Sequence, residues 1–359
     1  MRLIGPIMKT LKKLFSHFLF ILFLLTSLPA QALEADQYWM WQKQEGLNDS
    51  ADQINELINA QFGEFMARFI QVKSTRKQPE KCEKIAKRFL KFVRPHFFLD
   101  RMKGAIMESE TIDKFPEKSR MFKDYPKSIY KGFRWPFMMP VAQNVNIGGV
   151  YVGTDKIDHF FSSGRRYYKV YQKARKKGLT HQEALKKALD FGLSILEEKG
   201  ILGYWSSGAF SYADIESNYK GMTLGLDMCQ GEDPYLKHDE EHGWQVTRKI
   251  DMRDYVTPLW DEAFNNSYYF PYRWNGVKKV LLEKYCAVGK QPHVQRLWRR
   301  YHRKLKPAFH TDYLRGLIYI GKIPDPRLQS LHTTCEYPEG FMEGVPFWEM
   351  PVNEGEHEK

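Results

Sequence analysis

The chain has 359 residues, of which 55 are Lys or Arg and 43 are Asp or Glu, giving a formal charge of +12. A chain of this length can bury a substantial core, so its fold does not depend on disulfide staples; the sequence carries no internal repeat and no low-complexity segment. The basic balance suits an anionic partner such as cell wall, lipopolysaccharide or nucleic acid, but charge alone neither chooses among these nor excludes a protein with a merely basic surface.

Arg2, Lys9, Lys12 and Lys13 open the chain, Leu14 to Leu28 is apolar, and Ala30-Gln31-Ala32 offers small residues to a signal peptidase. The apolar run falls short of the roughly 20 residues a spanning helix needs. A removable signal peptide over 1–32 is therefore expected, with an uncleaved anchor as the alternative. Its loss takes away four basic residues and no acidic ones, lowering the charge of the mature chain 33–359 to +8. Export, to the periplasm or out of the cell, follows as the expected localisation. No later segment is long and apolar enough to cross a bilayer.

Asn48-Asp49-Ser50 supplies caps for a helix whose apolar face is Ile54, Leu57, Ile58, Phe62, Phe65, Met66 and Phe69. A second helix is expected from Cys82 to Val93, ended by Pro95. Residues 104–150 lack steady periodicity and read as a long wrapping connection, with Asn146-Ile147-Gly148-Gly149 as its last turn. From Asp155 a helix resumes, carrying Ile157, Phe160, Phe161, Tyr167, Tyr168 and Val170. Thr180-His181-Gln182-Glu183 is a capping box and starts a helix expected to reach about Lys199, stopped by Gly200. Residues 201–212 read as extended and hairpin-like, Tyr212 to Met228 as a further helix, and the stretch from Pro234 to Tyr272 as aromatic and irregular. Helices are expected near Val277 to Tyr285 and Val294 to Leu305. The sum is one mainly α (α+β) domain over 33–359 with N- and C-terminal elaborations. The aromatic segment Tyr255 to Trp274 has no assigned function and is expected to pack over the core.

The four cysteines, Cys82, Cys229, Cys286 and Cys335, permit two disulfides in an oxidising compartment and three pairings. Three lie in the C-terminal half, so the bridges are expected to pin that half. No CxxC or Cys/His spacing marks a zinc knuckle.

Chemistry concentrates between Thr180 and Tyr219. Two glutamates, Glu197 and Glu198, fall at the expected end of the capped helix, followed by Gly203, Ser206, Ser207, Gly208 and Ser211 interleaved with Tyr204, Trp205, Phe210 and Tyr212. Glycosidases need a carboxylic acid still protonated when it meets the glycosidic oxygen. A helix C-terminus and an apolar surrounding both favour the neutral form. On a helical wheel Glu198 flanks the apolar stripe, following Ile195 and Phe191, whereas Glu197 falls on the solvated side, so Glu198 is the expected acid with Glu197 in reserve. By themselves two glutamates at a helix end are ordinary surface residues, and the aromatic stretch is an ordinary buried hairpin.

The run Glu198 to Tyr219, with its S-G-x-F-S-Y-x-D and N-Y-x-G elements, together with T-D-K-I-D-H-F-F-S-S-G over Thr154 to Gly164, resembles a family of exported bacterial proteins. That family is similar to the lysozyme-like enzymes with which predatory bacteria cut peptidoglycan, with a preference for deacetylated glycan. The resemblance covers about 70 residues of the 359. It implies a lysozyme-like core with a short β-hairpin, Glu198 as catalytic acid, Ser211 and Tyr212 lining the cleft, and peptidoglycan as partner. Ser207 and Asp214 are further candidate substrate-binding residues, Asp214 either as a second carboxylate or only as a cap. Glu216-Ser217 departs from the pattern, and the C-terminal half has no counterpart in it.

Asp155, Asp158 and His159 share a helical face at i, i+3 and i+4. They could hold a divalent cation, but capping and buried polar contacts are the commoner use. Within the resemblance they brace the glutamate helix, and Asn218, four residues after Asp214, supports the same site. His238-Asp239-Glu240-Glu241-His242 matches H-x-x-E-H, the inverted zinc-protease signature. Pro234 upstream and Gly243 downstream argue instead for a charged turn. The leading reading is a monomeric exported peptidoglycan glycosidase needing no cofactor or metal and binding no nucleic acid. A non-catalytic envelope or glycan-binding protein is the alternative, and a zinc metalloprotease the third.

Overall fold

A computed structural model describes residues 34–73, 80–95, 100–118, 120–131, 141–194, 197, 199 and 207–337. The expected signal peptide over 1–32, Glu198 and residues 200–206 lie outside the described residues. Leu33–Lys359 forms a compact unit; its described residues are mainly helical with four small sheets, one of them a parallel pair of β1 (Glu34–Ala35) and β3 (Val141–Ala142).

Its centre is a pair of helices, α4 (Thr154–Lys176) and α6 (Tyr212–Asp227). Both follow the apolar spacing of the sequence, and α4 buries Ile157, Phe160, Phe161, Tyr167, Tyr168 and Tyr171. Tyr171 takes the core position expected of Val170. Around this pair lie α1 (Ala51–Lys73), α2 (Cys82–Val93), α3 (Arg101–Glu108) and α5 (His181–Gly192). The capping box of α5 is present, with Thr180 Oγ accepting from Glu183 N–H and Glu183 accepting from Thr180 N–H at 2.7 Å.

Three segments depart from the sequence expectation. Residues 104–150 do not merely wrap: they contain α3 and two strands of a three-stranded sheet. In it β4 (Asn144–Ile147) pairs antiparallel with both β2 (Lys114–Phe115) and β5 (Val150–Gly153). Strands of two to four residues are too short to show a period of two. The turn read at Asn146–Gly149 is the β4–β5 hairpin loop, where Gly148 and Gly149 have φ of 61° and 81°, as a type I′ turn requires.

Helix α5 ends at Gly192, well short of Lys199. Beyond it Ser194 N–H bonds Phe191 O and Glu197 N–H bonds Ser194 O, tight four-residue turns in place of the α-helical ladder. Of the segment 201–212 read as hairpin-like, residues 201–206 lie outside the described residues; the strand that follows, β6 (Ala209–Phe210), pairs antiparallel with β9 (Tyr268–Tyr269), a partner far along the chain.

The C-terminal half is core, not cover. Trp260 is fully buried against Phe160, ring centroids 5.6 Å apart, and Trp41 meets Trp298 edge-on at 5.2 Å. The latter ring comes from α8 (Pro292–Lys304), which follows α7 (Pro271–Val280). Helix α9 (Phe309–Tyr319) had no sequence counterpart. Disulfides join Cys82 to Cys229 and Cys286 to Cys335. Only the second lies within the C-terminal half; the first ties the start of α2 to the end of α6. Such bridges persist in oxidising compartments. No helix among the described residues is long and apolar enough to cross a membrane.

Candidate functional site

Packing α4 on α6 sets the Asp155–His159 turn against the Asp214–Asn218 turn. Both turns open their helices, and Ser211 caps α6 by accepting from Asp214 N–H. The junction holds a fully buried ammonium. Lys156 Nζ lies 2.6 Å from Asp155, 2.7 Å from Asp214 and 2.7 Å from Glu262, with Glu34 at 3.5 Å. An ammonium has three donors, and three carboxylates stand at hydrogen-bonding distance. Glu34, the outer one, is pushed well above the usual carboxylate range by burial and then by the charge of Glu262. Its proton reduces the buried negative charge by one, leaving three carboxylates around one ammonium. Glu262 is held by Ser211 Oγ at 2.8 Å and Tyr130 OH at 2.9 Å.

Oxygens of Glu34, Asp155 and Asp214 approach one another closely enough to hold a metal ion. Lys156 already supplies the cation there. Asp155, Asp158 and His159, expected to share one task, turn to three partners. Asp155 joins the Lys156 cage. Asp158 takes Arg94, whose Nη2 donates to Oδ2 at 2.9 Å. Burial would raise the Asp158 pKa, but the hydrogen bond and charge of Arg94 outweigh it and hold the carboxyl below its ordinary value. His159 has Nε2 3.4 Å from Asp214 and Nδ1 3.3 Å from Asn218 Oδ1. Asp214 thus links the buried lysine to a histidine whose side chain is 18% exposed.

Glu197, expected on the solvated side, is 1% exposed. Because α5 ends at Gly192, the helical wheel does not apply to Glu197. Arg166 Nη1 stands 2.6 Å from Glu197 Oε1 without hydrogen-bond alignment, while Arg166 Nη2 donates to Ser163 at 2.6 Å. Burial pushes the Glu197 carboxyl up to about 7 against the opposing charges of Arg166 and His159.

The residues expected to line a cleft are interior instead. Ser207 Oγ accepts from Ala209 N–H at 3.2 Å, Ser211 serves the cap and Glu262, and Tyr212 OH donates to Pro324 O. Each is 1–2% exposed, because the chain around β6 is covered by the C-terminal half that the motif does not include. The zinc motif fails on geometry. His238 and Asp239 end β7 (Leu236–Asp239), His242 precedes β8 (Gly243–Val246), and Asp239 Oδ1 accepts from the N–H groups of Glu241 and His242 in the exposed turn between them. No helix places the two histidines on one face.

Sequence reasoning missed Glu34, Lys156, Glu262, Arg94 and Arg166. Lys156 stands inside the D-K-I-D-H turn between two aspartates, and Asp261-Glu262 interrupts an apolar aromatic run, which is the signal that marks a buried acid pair. The chain matches no protein-family model, no curated protein and no solved structure.

Proposed function

We propose that the chain is an exported glycoside hydrolase of peptidoglycan in which Glu197 is the general acid. The observation that supports this is the Glu197 carboxyl, buried and pushed up to about 7, which retains a proton near neutrality. In the reaction the Glu197 proton passes to the glycosidic oxygen as its bond to the anomeric carbon breaks. Water then adds to that carbon, and its released proton restores the acid through solvent. Arg166 and His159 flank the carboxylate left after transfer and stabilise it. Lys156 anchors Asp214 at 2.7 Å, and Asp214 orients His159.

Turnover of native and chemically deacetylated wall by wild type, Glu197→Gln and Glu198→Gln tests the assignment. General acids contribute roughly 10²–10⁴ in rate, and a loss of that order is expected from Glu197→Gln alone. Full activity in Glu197→Gln sinks the residue, and no turnover of either wall by wild type sinks the enzyme.

A further inference from the structure

We infer that a second site, the cavity at the start of α9, binds a small phosphate-bearing anion through His310, Lys220 and Lys306. It is independent of the glutamate site and of the reaction proposed there. The cavity has a volume of 480 Å³ and is lined by Glu216 and Lys220 of α6 and by Lys306, Ala308, His310 and Thr311.

Three observations converge on an anion. First, α9 is uncapped: its N-cap is Ala308, which has no side-chain acceptor, and the N–H groups of Phe309 and His310 find no acceptor among the described residues. Open N–H groups and the helix dipole together favour negative charge at this end. Second, His310 is 2% exposed, with its ring stacked on Tyr219 at 4.1 Å and Nε2 bonded to Glu216. Its Nδ1 has no partner among the described residues, and leaving a buried ring nitrogen unpaired is costly. Third, Lys220 and Lys306 make no ion pair among the described residues.

The other charges here are committed. Glu216 is bonded to His310 and to Thr257 Oγ at 2.9 Å, and Asp254 lies 3.8 Å from Arg248. Arg253 is held by Asp251 and Asp52 at 2.8 and 3.0 Å, and Lys304 donates to Gly148 O. Asp312, in the first turn of α9, has Arg315 as its charge neighbour. What remains is an incomplete set of donors around one helix end. A tetrahedral phosphate can meet helix N–H groups, two ammonium groups and an imidazole together, where a carboxylate has only two oxygens to offer. Either ring state suits it: Nδ1 accepts from a P–OH when neutral and donates to a P–O⁻ when protonated.

The test titrates inorganic phosphate into the full chain at constant ionic strength, following calorimetry and the ¹⁵N signals of the His310 ring. Saturable binding with a shift at His310 Nδ1 is expected. Lys220→Ala and Lys306→Ala, which remove surface cations without touching the core, should each weaken binding about tenfold. A His310 signal that does not respond, or binding undiminished in both lysine variants, overturns the assignment.

Discussion

Gly164 of α4 and Gly221 of α6 meet backbone to backbone: a β-carbon built on Gly164 would stand 2.7 Å from the Cα of Gly221, and one on Gly221 would overlap the carbonyl oxygen of Phe160. This contact sets how closely the two helices cross. With the helices this close, the D-K-I-D-H turn reaches Asp214 and Asn218.

Gly221→Ala is therefore expected to lower stability by ~3 kcal/mol or more, since rigid backbone cannot yield as a side chain would. Gly104→Ala in α3, where no atom lies within 4 Å of the added carbon, should instead stabilise by ~0.5–1 kcal/mol. Urea midpoints of the two variants check both signs. A Gly221→Ala midpoint equal to wild type would show that the helices do not depend on this contact.

Lys156→Met should be among the most damaging single changes. It fills the same volume but leaves four buried acids without their cation, and breaking one side of a buried ion cluster costs ~3–5 kcal/mol. Adding Glu262→Gln to that variant should recover part of the loss, because one fewer charge then needs compensation. Chemical denaturation of the single and double variants measures the coupling, and strict additivity would mean that the two groups do not interact.

Much of this was open to reading in the sequence, and the failures share a cause. Apolar period and capping chemistry located α1, α2, α4, the start of α5 and α6 because these signals are local. The residues that build the junction are not local to one another: Glu34, Lys156, Asp214 and Glu262 come from four separate segments, and no spacing rule joins them. Glu197 shows the same limit. Its environment was argued from a helix that stops at Gly192, and what buries it is tertiary packing. The resemblance places Ser211 and Tyr212 in a cleft, yet a hydroxyl and a phenol suit a helix cap and a buried hydrogen bond equally well.

Asp36 and Asp261 give stability a pH dependence. Burial raises each to about 7 against hydrogen bonds that favour ionisation. A carboxyl whose folded pKa exceeds its unfolded value, ordinarily ~4, binds its proton more tightly when folded. Its contribution is complete below ~4 and is lost as pH rises through about 7. Within that window each group should give a slope of about 1.4 kcal/mol per pH unit. Urea unfolding at intervals across the window should show stability falling with pH, and Asp36→Asn and Asp261→Asn should each flatten the curve. Equal slopes in variants and wild type would assign the effect elsewhere.

Arg166 offers a way to tell an acid from a bystander. If Glu197 must be protonated to act, wall turnover declines as pH rises through about 7. The guanidinium 2.6 Å away favours the ionised carboxylate, so it holds that pKa lower than burial alone would. Arg166→Gln removes the opposing charge and keeps a polar side chain beside Ser163. The Glu197 pKa should then rise, carrying the alkaline limb of the activity profile upward by about one unit, while the acid limb stays where it was. The direction matters because general damage to the site would reduce activity at every pH without moving the limb. A profile of the same shape in Arg166→Gln and wild type would mean that the titrating acid is not the carboxyl that Arg166 touches, and would turn attention to Glu198.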